Sequence, residues 1–353
     1  IFVREYAQLA LHIVEAELRV GETAVIIFFR QLAWIVAGYA LLGWGAIGLA
    51  TAWIGSRLLV LLWAGWKIGI NFQRPSVYHV RSLFQFAKFQ FVSNLGSLSF
   101  NWIDSLMIGF FITSAAVGSY EIAWRVTSIP MILTGAIATT IFPKISSLDI
   151  DNEAESIGNL VSSVVVPAVL LIIPTFFGAY LFAEEILRYA FGPEYTDASR
   201  ALVILVGSQI FQAFYMVFGR SLRALDYIEQ SVKIEVVAIV LNITLNIALV
   251  PILGLIGAAV ATTTAILFNS VAHYLYLSRL IPVRLPYRQL GTIMFASITM
   301  FSILIAIKQH VVVNSFILLL MMIFSGAGMY AVVILIDPAI RSKVNQNIRN
   351  ALI

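Results

Sequence analysis

The stretch IEVVAIVLNITLNIALVPILGLIGAAVATTTAILFNSVAHYLYL, residues 234–277, decides the fold. Two apolar runs, 234–252 and 256–277, meet at the turn Pro251-Ile252-Leu253-Gly254. Each reaches the roughly 20 residues that cross about 30 Å of hydrocarbon at a helical rise of about 1.5 Å. Strands of a membrane barrel alternate apolar and polar over about ten residues, whereas these runs are apolar throughout. The stretch is a transmembrane helical hairpin, and the rest of the chain repeats the pattern. Comparable runs at 24–42, 45–66, 89–111, 118–141, 160–182, 201–219, 289–307 and 315–336 bring the expectation to about ten spans. Gly43-Trp44 and Thr113 to Val117 close further tight hairpins. The fold class is all-α, a polytopic transmembrane helix bundle.

Composition agrees. The 353 residues are 60% hydrophobic and 11% charged, where soluble chains carry about a quarter charged residues. The absence of cysteine excludes disulfides, thiolate metal sites and cysteine nucleophiles, and four scattered histidines are a poor start for a zinc or iron centre. No metal and no cofactor is expected. A net charge of +4 would suit nucleic acid, but 16 of the 22 Lys and Arg residues lie in connectors 67–88, 142–159, 220–233, 278–288 and 337–353 or ahead of the first span. By the positive-inside rule those connectors and the C-terminus are cytoplasmic, and the Phe191 to Tyr195 loop is outside. One of those connectors is acidic, with Asp149, Asp151, Glu153 and Glu155, but acids weigh little in the rule. The chain opens at Ile1 with no signal peptide, and residues 1–18 read as the tail of a helix whose earlier part is absent. A truncated chain is the expectation.

Charges within spans cost about 2.5–3.5 kcal/mol on insertion scales and mark candidate sites. Five stand out: Arg30, Arg57, Asp104, Glu121 and Arg125. Arg30 and Arg57 fall at one depth on consecutive antiparallel helices, about 12–14 Å from the cytoplasmic face. They either grip an anion such as a phosphate, or snorkel and stack on Trp34 and Trp53, each four residues away. Asp104 and Arg125 lie about 10 Å from the outer ends of adjacent spans, where they can pair across the hairpin, line a cavity, or both. Glu121, four residues before Arg125, is either solvated or completes that pair. Asn94, Ser97, Asn101, Asp104 and Ser105 form a polar stripe that faces a neighbouring helix or, as we expect, a water-filled cavity. Asn242 with Asn246, and Asn269 with His273, are spaced for interhelical hydrogen bonds. His273, near a cytoplasmic helix end, is expected to be solvated, with proton coupling as the functional alternative.

No catalytic constellation and no phosphate-cradling glycine loop is present. Gly45-Ala-Ile-Gly48 and Gly254-Leu-Ile-Gly257 echo each other at an offset of 209 residues, each opening the second helix of a hairpin, as in a transporter built from parallel repeats.

Several motifs carry a resemblance. They are Leu83-Phe-Gln-Phe-Ala-Lys-Phe89, Trp102-Ile-Asp104-Ser-Leu-Met-Ile-Gly109, Ala116-Val-Gly-Ser-Tyr120-Glu-Ile-Ala-Trp-Arg125 and Ile141-Phe-Pro143. Leu181-Phe182, Ala190-Phe-Gly-Pro-Glu-Tyr195, Arg223-Ala-Leu225 and the Asn246 to Ala259 turn follow in the same order. Together they resemble the polysaccharide-biosynthesis flippases of the multidrug/oligosaccharidyl-lipid/polysaccharide superfamily, over about residues 16–280. The resemblance implies two six-helix bundles around a cationic cavity, often with two further helices, and alternating access that moves a lipid-linked sugar. Aligned so, residues 1–66 are a remnant of an incomplete first bundle. Residues 67–88 are a cytoplasmic linker, 89–278 the second bundle, and 279–353 two additional helices with a tail. Arg30, Arg57 and Arg125 would attract the phosphates of a polyprenyl carrier, with Asp104, Asn94, Asn101 and Glu121 around them. The implied protein is a flippase of the plasma membrane and not an enzyme. Its partners would be a polyprenyl-(pyro)phosphate-linked glycan, the bilayer and envelope glycan assembly proteins, with no nucleic acid. A cation-coupled drug exporter is the first alternative, although buried arginines outnumber clear buried acids here. A glycan polymerase or ligase would need a larger outer loop than residues 183–200 supply. A structural scaffold would have every buried charge internally paired.

Overall fold

The computed structural model describes residues 2–16, 20–68, 102–131 and 148–336, with 76, 84, 134, 135, 145 and 146 besides. Among them all regular structure is helical. Seven stretches are long and apolar enough to cross a membrane, and Val25–Ala40 and Trp102–Phe111 are shorter apolar helices. The protein is a multi-pass membrane protein. Much of the expected spans 89–111 and 118–141, with residues 337–353, lies outside the described residues. Contacts divide the chain into two compact units, 1–84 and 85–353.

The first unit holds α1 (Phe2–Ala16), α2 (Val20–Ala40), a 3-10 turn at Leu42–Trp44 and α3 (Gly45–Ile68). Ala7, Leu11, Ile26 and Val60 form its core. The second unit begins with α4 (Trp102–Phe111) and α5 (Ser114–Ser128), and continues through α6 (Ile150–Val169), α7 (Ile172–Ala190) and α8 (Ser199–Ala224). It ends with α9 (Ile228–Leu253), α10 (Leu255–Leu280), α11 (Tyr287–His310) and α12 (Phe316–Ile334).

The sequence echo is a repeated backbone geometry. Gly45 has φ 59° and ψ −138°, and Gly254 has φ 61° and ψ −134°, a conformation that side chains with a Cβ rarely adopt. Three residues on, a Cβ at Gly48 would stand 2.0 Å from the Leu41 carbonyl oxygen, and one at Gly257 would stand 2.4 Å from that of Leu249. The helices that follow bury matching positions: Gly48, Ala52, Ser56 and Val60 in α3, and Gly257, Ala261, Ala265 and Asn269 in α10.

The run expected as one span at 160–182 is broken at Leu170-Leu171, between α6 and α7. Pro174 lacks the N–H that would bond the Leu170 carbonyl, and its ring crowds that oxygen. Tyr330 of α12 donates its hydroxyl to the freed oxygen at 2.6 Å, and Thr134 does the same for Ala168 at 2.7 Å. Lys308 of α11 pairs with Glu185 at 2.6 Å and donates to the Leu181 carbonyl at 2.5 Å. The last two helices are thus pinned to α7.

Helix α9 is built inside out. Its buried face carries Ser231, Glu235, Ala238, Asn242, Asn246 and Val250, while Val236, Val237, Val240 and Ile247 are exposed. This is the pattern a helix needs when its surroundings are lipid and its polar groups must find partners in the protein. It places a polar seam inside the second unit.

Tyr330→Phe leaves the Leu170 carbonyl unpartnered, which costs about 1–3 kcal/mol. Thermal unfolding in detergent should show a lower midpoint than the parent, and an unchanged midpoint would refute this role for the hydroxyl.

Candidate functional site

Four helices of the second unit converge on one carboxylate. Thr113 caps α5, its side chain accepting from Ala116 N at 3.2 Å, and so closes the tight turn that folds α5 back beside α4. Asp104, on α4, is 2% exposed. Its Oδ2 accepts the Tyr120 hydroxyl from α5 at 2.6 Å and the Thr262 hydroxyl from α10 at 2.5 Å. Its Oδ1 accepts Asn246 Nδ2 from α9 at 2.8 Å. Asn242, one turn before, donates Nδ2 to Thr262 Oγ1 at 3.0 Å. The side-chain amide oxygens (Oδ1) of Asn242 and Asn246 are buried and have no hydrogen-bond partner.

One negative charge, a hydroxyl and two orphaned amide oxygens make a hard-oxygen set. Its single carboxylate balances a monovalent cation or a proton. Among the described residues no group of three or more His, Cys, Asp or Glu could hold a metal ion, so a divalent site of the usual acidic kind is not formed there.

Of the two readings of Asp104 and Arg125, pairing across the hairpin is not what the structure forms. No ion pair joins them among the described residues. The acid is occupied by Tyr120, Thr262 and Asn246, while Arg125 lies exposed in the last turn of α5. Glu121 is half-buried and accepts the Ser105 hydroxyl, so it ties α5 to α4 and neither stands in water nor completes an arginine pair. Of the polar stripe, Asp104 and Ser105 are buried, while Asn94, Ser97 and Asn101 lie outside the described residues. Asn242 and Asn246 do make the interhelical bonds their spacing suggests. Tyr120 and Thr262 were missed, because a tyrosine and one threonine of a Thr-Thr-Thr run carry no local signal. His273 is not solvated: it is 0% exposed.

In the first unit Arg57 stacks on Trp53, its guanidinium carbon 5.0 Å from the ring centroid. Arg30 and Arg4 both lie within electrostatic reach of it. Among the described residues no carboxylate pairs with Arg30 or Arg57, and Arg57 Nε is buried without a partner. The stacking reading holds for Arg57 on Trp53.

A profile of polysaccharide biosynthesis proteins matches residues 10–200, more than half of the chain. The chain belongs to this polysaccharide biosynthesis family. It is 38% identical to the probable low-salt glycan biosynthesis flippase Agl15 of Haloferax volcanii, over 99% of the chain and 74% of that protein. It is 27% identical to the probable flippase AglR of the same organism, over 88% of the chain and 66% of AglR. Among solved structures, the lipid II flippase MurJ in an inward closed conformation superposes with a TM-score of 0.71 at 18% identity, over 87% of this chain and 65% of MurJ. The chain therefore spans about three quarters of Agl15 and just under two thirds of AglR and MurJ.

The family match contains Arg30, Arg57, Asp104, Glu121 and Arg125 but stops short of Asn242, Asn246 and Thr262. In this family member the carboxylate and the amide that bonds it, Asn246, are 142 residues apart in the chain. Thr262→Val removes one of three bonds to a buried carboxylate and should lower stability by about 1.5–3 kcal/mol. Chemical or thermal denaturation of the detergent-solubilised protein measures it, and a loss no greater than for Thr264→Val, whose hydroxyl bonds its own helix, would contradict the assignment.

Proposed function

We propose that the protein flips a polyprenyl-(pyro)phosphate-linked glycan from the cytoplasmic to the outer leaflet of the plasma membrane, with its C-terminus in the cytoplasm. The observation that carries this reading is the pair Arg30 and Arg57, uncompensated by any described carboxylate and close enough to act on one another. Guanidiniums in such a setting bind phosphate oxygens bidentately and keep their charge at every physiological pH. Membership of the polysaccharide biosynthesis family and likeness to Agl15 and AglR, both named probable flippases, support the same substrate class. In the second unit Arg125, exposed on α5, is a guanidinium that can attract phosphate in its own right. Asn94 and Asn101, which lie outside the described residues, stay in the proposal by their helical spacing from Asp104 alone. Glycan assembly proteins of the envelope are the fitting partners. No bond is made or broken in the cycle.

Movement of a charged head group needs a driving force, and the Asp104 cluster is suited to supply one. A cation taken up among Asp104, Thr262, Asn242 and Asn246 would give the orphaned amide oxygens a partner and neutralise the carboxylate, and a proton would do the second alone. Its arrival and departure would then bias the packing of α4, α5, α9 and α10.

The test is transport of a fluorescent polyprenyl-pyrophosphate sugar by the full-length protein in proteoliposomes. Arg30→Gln and Arg57→Gln each remove charge-assisted bonds worth about 1.5–3 kcal/mol, so transport should fall about tenfold or more. Unchanged transport in both variants would overturn the arginine assignment, and a parent protein that leaves the lipid in place while moving a cationic dye would sink the flippase reading in favour of a drug exporter. In the same assay Asp104→Asn should abolish the response to an imposed sodium or proton gradient, and a full response would show that the coupling ion binds elsewhere.

A further inference from the structure

A second buried polar cluster lies along the same two helices. Glu235 and Asn246 are eleven residues apart on α9, as are His273 and Thr262 on α10. Eleven residues are about three turns, so both clusters share one helix face and are separated by about 16 Å. His273 is fully buried, and the edge of its ring meets Tyr215 of α8 with centroids 5.1 Å apart. Gly219 leaves the room: a Cβ there would stand 3.0 Å from the Tyr215 ring and 3.5 Å from His273 Cδ2. The titratable and charged groups turned toward the ring are Tyr215 and Arg223 from α8, with Arg220 behind them, and Glu235 from α9.

The hydrogen bonds settle the tautomer. His273 Nδ1 faces the Asn269 carbonyl oxygen at 2.8 Å, and since a carbonyl only accepts, Nδ1 carries a proton in either charge state. In the neutral ring Nε2 is then an acceptor. It lies 3.0 Å from Ser231 Oγ, which is also 3.2 Å from Glu235 Oε1. One hydroxyl proton thus has two acceptors in reach. Glu235 Oε1 is already served by the Tyr215 hydroxyl at 2.8 Å and by an ion pair with Arg223, so the neutral ring is the acceptor short of a donor.

We propose that His273 is a proton-binding site within the bundle, whose protonation at Nε2 turns the Ser231 hydroxyl from the ring onto Glu235. The proton comes from water at the Arg223 end, where that side chain is 31% exposed. Once bound, Nε2–H donates to Ser231 Oγ, and Ser231 donates to Glu235. The carboxylate then answers to two cations, Arg223 directly and the imidazolium through the hydroxyl. Arg223, which ties the end of α8 to α9, loses its exclusive hold. The device acts on the α8–α9–α10 contact whatever the transported substrate.

The experiment uses the full-length protein with 15N-labelled histidine in lipid nanodiscs, followed by NMR from about pH 8 to pH 5, the range in which histidines change charge. The histidine resonance lost in His273→Gln is that of His273. If that variant does not fold, the ring resonance displaced by Tyr215→Phe, its neighbour in ring contact, identifies it. The expected result is an Nδ1-protonated neutral ring at high pH that gains a proton at Nε2 on acidification. Ser231→Ala, which removes the relay, should displace the midpoint by about one pH unit, the effect of one hydrogen bond to a charged group. A ring that stays neutral throughout, or one that titrates identically in Ser231→Ala, overturns the proposal.

Discussion

Hydrocarbon gives a polar group no partner, so every buried donor and acceptor in a membrane protein must be answered by the protein itself. The second unit is arranged around that constraint. Asp104 is answered from three other helices by Tyr120, Asn246 and Thr262, which fixes how α4, α5, α9 and α10 meet. The freed carbonyl at Leu170 is answered from α12 by Tyr330, which fixes where the last helix docks. The polar face of α9 is turned inward for the same reason, and both buried clusters lie along it. The amide oxygens of Asn242 and Asn246 break the rule, and unanswered oxygens beside a carboxylate are what a transported or coupling cation would meet.

The two matching hairpins show how one backbone serves different chemistry. With Gly45 aligned on Gly254, Trp53 occupies the place of Thr262, and Arg57 that of Ile266. In the second hairpin this position gives a hydroxyl to a carboxylate. In the first it gives an aromatic face to a guanidinium. Gly45 and Gly254 are fixed by their positive φ, and Gly48 and Gly257 by the carbonyl oxygens of Leu41 and Leu249 that a Cβ would strike, while the residues one and two turns deeper are free to diverge. One hairpin carries a fixed positive charge, and the other supplies hydrogen-bond donors to the carboxylate of α4.

Much of this was legible in the sequence, for reasons that differ by feature. Hydropathy alone defines the helical class, since residues 234–277 can form nothing but a hairpin of spans. The glycine turns are legible because only glycine tolerates that backbone. Asn242 and Asn246 announce themselves by spacing. The partner of Asp104 could not be read, because depth along neighbouring helices places Arg125 within range while rotation about the helix axis decides otherwise. Thr262 lies 158 residues from Asp104 in the chain, a separation no local pattern bridges. His273 was misjudged because nearness to a helix end suggests water, whereas Gly219 and Tyr215 of a third helix close over it. The break before Pro174 was hidden by an apolar composition that runs through it without change.

The central claim is that the protein recognises the phosphate-bearing head of a lipid carrier through guanidiniums. The most direct measurement is the affinity of the full-length protein for a polyprenyl-pyrophosphate sugar against the same polyprenyl sugar lacking the pyrophosphate, by titration in detergent. Binding at least about tenfold tighter for the pyrophosphate form is predicted, the equivalent of about 1.4 kcal/mol. Equal affinity for the two lipids would contradict the account.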